Sequence, residues 1–373
     1  MKFKQLRRSN GFRDLAPARP ESFFLVDLLA ATPKSAIPTA EHPFFGLSKN
    51  PWKKNGCVRR YESPSGKEYL ELSGDQRYGL PTIFDQDFLI YAVSAMAAER
   101  KKLKETPHAP GRCRVQNSII QFSTAEFADF THRTTIGKDG KVRLPGSRYE
   151  QIEAGINRLV RTTVTTNIVS AGYVQTDLFG ILDSASLRRR ELLRKHGAAA
   201  EALVACRIKL SDWILAAIDG GHLITLDRRY FDLRSPLDRR LYQIIRKHCG
   251  SQKKWEIGLP KLYLKSGSLS PLREFRRQIR QCVARWDQRL DTEGESFLGY
   301  QMVYDAARDM LTVRPRHAFR AVDWPLPFTD GLEKICRREL PGCDPADVFS
   351  QFNKFAIARY SASIWVRGAR QSG

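Results

Sequence analysis

Acid is what this sequence is short of. Forty Asp and Glu stand against 62 Lys and Arg in 373 residues, a formal net charge of +22. An excess of that size, spread along the whole chain, implies a polyanionic partner, either nucleic acid or an anionic membrane surface. Long apolar runs are missing too. Near the start, Phe23-Phe24-Leu25-Val26 is cut at once by Asp27, and a membrane span needs ~20 such residues. Met1 to Arg8 is basic with no apolar segment behind it, so no signal peptide is expected. A membrane partner is not expected either, which leaves nucleic acid.

Cysteine and histidine are sparse. The seven cysteines, at 57, 113, 206, 249, 282, 336 and 343, include no C-x-x-C pair, and they read as reduced thiols in a cytoplasmic protein. The seven histidines are scattered, so neither a protein-built metal site nor a cofactor is expected. Phosphate-loop chemistry needs G-x-x-x-x-G-K-S/T, and neither Gly66-Lys67 nor Gly137-Lys138 is followed by Ser or Thr. A nicking initiator would need a His-x-His metal pair beside a tyrosine nucleophile, and no His-x-His occurs. No catalytic residue and no enzymatic activity are expected.

What is present is an ordinary globular chain, 42% hydrophobic and 27% charged, long enough for two or three domains. One stretch organises it, Ser270 to Arg289. Leu272, Phe275, Ile279, Cys282 or Val283, and Trp286 recur every three or four residues as the buried stripe of a helix. Between them stand Arg273, Arg276, Arg277 and Arg280, with Arg285 and Arg289 beyond. Ser270 is placed to cap the helix and Pro271 to open it. Guanidinium forks suit phosphate and guanine alike, against the plainer reading of a solvated basic face.

A second helix of this kind is expected after Ser147-Arg148-Tyr149-Glu150, read as a capping box. Its inner side is Tyr149, Ile152, Ile156 and Leu159 or Val160. Its outer side carries Arg148, Gln151, Asn157, Arg158 and Arg161. Before it come a hairpin about Ser63-Pro64-Ser65-Gly66, a helix from Asp85 with Phe88, Leu89, Ala92, Val93 and Met96 inward, and a capping box at Ser123 to Glu126. The pair in Asp85-Gln86-Asp87 resembles a polymerase D-x-D. The stronger reading is an N-cap and a first-turn acid, for which Asp85→Ala costs about 1 kcal/mol. Residues 31 to 56 read as an extended connector, Thr162 to Val169 as an edge strand, 170 to 202 as a basic loop or wing tip, and Val204 to Leu210 as a half-buried strand. The order of helix, helix, exposed helix and strands is that of a winged helix. It recurs from Ser235 through a strand at Trp255 to Ile257 and a hairpin from Leu298 to Arg314. Lys254 and Arg308, at that unit's strand and hairpin turn, complete the DNA-binding candidates.

The expected fold is therefore α+β and mostly helical, with two tandem winged-helix domains and their β-wings at 57–225 and 226–316. An arm and connector, 1–56, precede them, and a C-terminal helical extension, 317–373, follows. Five stretches in collinear order, Pro43 to Lys49, Gly79 to Tyr91, Leu226 to Phe231, Ser235 to Tyr242 and Ser270 to Arg276, resemble the replication initiator protein A family of plasmid initiators. The resemblance implies tandem winged helices related to iteron-binding initiators, and binding to repeated double-stranded sites at a plasmid origin. It also implies opening of a nearby AT-rich segment, host initiator and replicative helicase as partners, and a monomer–dimer equilibrium. A transcriptional (auto)repressor would use the same helices, and is the alternative.

Overall fold

The computed structural model describes residues 32–48, 57–63, 66–105, 118–136, 142–144, 146–167, 176–193, 199–250, 252–316 and 344–347. Strand β1 (Lys34–Ala36) runs into helix α1 (Ile37–Glu41). Strands β2 (Val58–Glu62) and β3 (Tyr69–Ser73) form the expected antiparallel hairpin, with Gly66 at φ +66° in its turn. Helix α2 (Gln86–Glu105) starts just after Asp85 and is buried on every side as far as Met96. The stripe expected along one face is thus part of a segment enclosed on every side. Strand β4 (Ile119–Ser123) leads into α3 (Thr124–Phe130). Here the capping box is present, Glu126 N donating to Ser123 Oγ at 3.1 Å and Ser123 N to Glu126 Oε2 at 2.8 Å. The two-residue strands β5 (Thr135–Ile136) and β6 (Val142–Arg143) precede α4 (Gly146–Val160). That helix begins one residue before Ser147, and no hydrogen bond joins Ser147 to Glu150, so the second capping box is not formed. Strands β7 (Thr163–Thr166), β8 (Asp177–Gly180), β9 (Leu182–Leu193) and β10 (Ala199–Leu210) follow, then α5 (Asp212–Asp219).

Strand β11 (Leu223–Thr225) and a 3-10 turn, Arg228–Asp232, lead to α6 (Pro236–His248). Ser235 caps α6 by accepting from Asp238 N, and Pro236 takes the first position, where its missing N–H costs nothing. Strand β12 (Trp255–Gly258) is followed by α7 (Leu259–Ser266), which Gly267 ends at φ +69°. Helix α8 (Leu272–Glu293) carries the arginines. Phe275, Ile279, Cys282, Val283 and Trp286 are buried as the spacing required. Its N-cap is Pro271, and Ser270 makes no capping bond. The hairpin of β13 (Tyr300–Asp305) and β14 (Met310–Pro315) closes the second unit.

The two units repeat one topology. In β4-β10-β9 and in β12-β14-β13 the last strand in sequence lies in the middle, between the first and the second. Each sheet belongs to the order helix, strand, helix, helix, hairpin: α2, β4, α3, α4, β9–β10, and α6, β12, α7, α8, β13–β14. The wing of the first unit differs from expectation. Residues 163–166 do not pair with 204–210 and are not an edge. β7 is internal to a separate sheet, β2-β3-β7-β8, with Val164 and Thr166 buried. The partner of β10 is β9, drawn from the stretch read as a loop. The run Leu187-Arg188-Arg189-Arg190 looked like solvated coil, but an edge strand can turn such charges outward, and Arg188 and Arg189 are exposed. With fourteen strands among the described residues the fold is mixed α/β rather than mostly helical.

Residues 32–48 are packed, not an extended connector. β1 pairs with β11, and Phe44 and Phe45 join a buried cluster that runs without interruption to Val313. Arg240, wholly buried on α6, donates to Thr39 O at 2.8 Å and to Lys265 O at 2.6 Å. Burial draws its pKa down to about 10, so it keeps its charge at neutral pH. The N-terminal arm lies outside the described residues, as does the C-terminal extension apart from residues 344–347.

Candidate nucleic-acid interface

Helix α8 is held by its apolar stripe, so its opposite face is free to carry charge. Arg273 and Arg280 are exposed and make no hydrogen bond or ion pair. Arg277 is exposed and bonded to Glu274 one turn back at 2.6 and 2.8 Å, a surface pair worth little that a phosphate can replace. Arg276 is committed to the hairpin. Its guanidinium meets Asp309 at 2.7 to 3.1 Å, and Tyr304 donates to the same carboxylate at 3.0 Å. The hydrogen bond to Arg276 holds the Asp309 carboxyl below its usual range. Asp309 sits at φ 48° in the β13–β14 turn, beside exposed Arg308. Arg276 therefore orients the hairpin against the helix. Arg285, half-exposed, pairs with buried Asp238 on α6 at 2.6 Å. Lys254 is exposed and 2.8 Å from Glu256.

On α4, Arg148 and Gln151 are exposed and bonded to each other at 2.9 Å. Asn157 is turned back on its own helix, its Nδ2 donating to Glu153 O at 2.9 Å. Arg161 reaches Asp75 at 3.3 Å and lies over the Tyr78 ring. Arg158 points inward. Its side chain is 11% exposed and grips Asp85 through Nε and Nη2 at 2.8 and 2.7 Å. Arg148, Gln151 and Arg158 line a cleft of about 960 Å³ that reaches His132, Arg133 and Arg234.

The floor of this region is a buried polar network that joins the two units. Asp85, Gln86 and Asp87 are all buried. Asp85 accepts from Thr82 N and Oγ1 at 2.7 and 3.0 Å besides gripping Arg158. Asp87 meets Arg133 at 2.8 Å and Arg239 of α6 at 2.7 Å. Burial opposes the charge of Arg239, and the Asp87 carboxylate and the Tyr230 hydroxyl together outweigh it, raising the Arg239 pKa. Gln86 donates to Ser35 and Thr39 and accepts from Gln243 of α6 at 2.9 Å. Asp85 is thus not the simple cap that its position suggested. Sequence reasoning missed Arg133, Arg239 and Gln243, because their partners lie 46 to 157 positions away. Among the described residues no cluster of three metal-ligating side chains occurs, and no helix is long and apolar enough to cross a membrane.

The family model described as replication initiator protein A matches residues 34–289. A Wigglesworthia glossinidia brevipalpis protein named "Putative replication protein" is 27% identical over 297 residues, 79% of this chain and 94% of that one. Two solved structures of RctB are also similar. Its domains 2 and 3, as selenomethionine derivatives, match at TM-score 0.47 and 14% identity over 76% of this chain and 99% of theirs. A second structure of domains 2–3 matches at 0.44 and 10%, over 71% and 94%.

Proposed function

The chain belongs to the replication initiator protein A family, and from that membership we propose that it binds repeated double-stranded sites at a plasmid origin through α4 and α8. Each unit is a winged helix on this reading, with α4 and α8 as the helices that enter the major groove and β9–β10 and β13–β14 as the wings. The observation that carries it is the exposed arginine face of α8, anchored by a buried stripe and braced on its hairpin through Arg276 and Asp309. Arg273, Arg277 and Arg280 lie there as the donors to bases and phosphates. Of α4, Arg148 and Gln151 are the exposed contributors, and Arg158 braces the helix from behind. Lys254 and Arg308, from the sheet and its hairpin turn, and Arg285, further along α8, complete the set as phosphate contacts.

The protein acts in the bacterial cytoplasm without catalysis of its own. Binding opens the neighbouring AT-rich segment, and host initiator and helicase are recruited to it. The test is duplex binding across salt concentrations. Roughly 8 phosphate contacts give a log–log slope of about −7. A preference for the origin repeats over unrelated duplex at moderate salt is expected, and equal affinity for every duplex contradicts sequence reading.

A further inference from the structure

Beside α8, on the flank away from the hairpin, lies a pocket of about 450 Å³. Its wall includes Arg59 of β2, Ser235 at the start of α6, Ser268 and Ser270 in the turn before α8, and Gln281 and Arg285 on α8 itself. Arg59 is only 5% exposed. Its Nη1 donates to Tyr61 at 3.0 Å, but among the described residues Nε and Nη2 are buried without any hydrogen-bond partner, and no carboxylate pairs with the group. A guanidinium in that state is unfavourable unless an anion completes it. The fold nevertheless makes room for it. A Cβ at Gly46 would lie 2.8 Å from Nη1 and 3.2 Å from Nη2, so glycine there lets the guanidinium sit where it does.

Two further features give the pocket the same sign. The N-terminal end of α6, a helix of 13 residues, opens at its wall through Ser235, Pro236 and Leu237, and helix N-termini favour anions. Among the described residues the pocket's one carboxylate, Asp238, is already bonded by Arg285 at 2.6 Å, by Trp286 Nε1 at 3.2 Å and by Cys282 Sγ at 3.4 Å. Two guanidiniums against that carboxylate leave one positive charge. Around them stand hydroxyls and amides able to donate.

We propose that this pocket seats a phosphate oxyanion on Arg59 and Arg285, and that in the duplex complex the oxyanion is a backbone phosphate beside the groove that α8 enters. The guanidinium of Arg59 turns toward the pocket on binding. The second half of this proposal rests on the duplex-binding reading above; the first half does not. Inorganic phosphate, titrated against the full chain without DNA at constant ionic strength and compared with chloride, tests the pocket alone. Saturable binding is expected, weakened at least tenfold in Arg59→Met. Leu269, 45% exposed on the pocket's wall, gives a second variant. Leu269→Glu places a carboxylate there without disturbing the core, and weakens phosphate equally if Arg59→Met does not fold. Duplex binding is then read as a salt slope. Loss of one backbone contact lowers it by about 1, equally for all sequences. Phosphate binding with an unchanged slope assigns the pocket to a free phosphate ester and overturns its role on DNA. No saturable phosphate binding together with an unchanged slope overturns the whole proposal. If the wild-type chain binds no duplex, the duplex reading fails and the phosphate titration still decides the pocket.

Discussion

Replacing Asp87 by Ala removes the carboxylate shared by Arg133 and Arg239. Asp87 has no exposed surface, and its two oxygens stand 2.7 and 2.8 Å from the two guanidiniums. The side chains of Arg133 and Arg239 are 13% and 4% exposed, so neither charge can turn to water without unpacking. Breaking such a pair leaves uncompensated buried charge, which costs about 3–5 kcal/mol. Each arginine keeps backbone carbonyl partners, Phe84 for Arg133, and Leu233 and Phe231 for Arg239. The lower end of that range is therefore expected. Urea unfolding of wild type, Asp87→Ala and Asp87→Ala/Arg239→Met measures it. The double variant should recover part of the loss, because it removes one stranded charge. A loss below about 1 kcal/mol for Asp87→Ala, or no recovery in the double variant, would show that the network does not join the units as described.

Asp85→Ala, which a simple cap would put at about 1 kcal/mol, should cost roughly 3 kcal/mol, because Arg158 is stranded; a urea midpoint near the cap value contradicts this. Burial holds His42 down to about 4 in the folded chain, against an unfolded value of about 6.5. The neutral form is the folded one, so stability is full above pH 6.5 and lost as pH falls toward 4. Roughly 2 kcal/mol should disappear between pH 7 and 5, and His42→Gln should flatten that slope; a profile unchanged by the substitution removes His42 as the cause. The purified chain should neither hydrolyse ATP nor nick DNA, and DNA-stimulated turnover abolished by a point substitution within it would reverse that expectation.

Local signals carried much of the fold. Ser123 and Glu126, Ser235 with Pro236, and the stripe of α8 act within one or two turns, so their spacing alone specifies them. The strand pairings were not legible. Thr163–Thr166 and Val204 to Leu210 both look like strands, but which partner each takes depends on residues far along the chain. Arg158 shows the same limit at the site. On a helical wheel it shares the outward face with Arg161, and only the fold reveals Asp85 behind it. Arg59 lies in the first strand of a hairpin that its turn residues announced, but nothing local marked the side chain as buried.

Both units reading one site together is the centre of this account. They are fixed to each other by the α2–α6 network and the continuous core, so one monomer should protect two patches about 10 base pairs apart on one face of the duplex. Footprinting with half a helical turn inserted between the patches decides it. Affinity is predicted to fall to that of a single patch. Arg273→Ala with Arg280→Ala should then remove the patch assigned to α8, and Arg148→Ala with Gln151→Ala the other. Undiminished affinity after the insertion, or unchanged binding in the Arg273 and Arg280 variants, would mean that α8 presents only a solvated basic face.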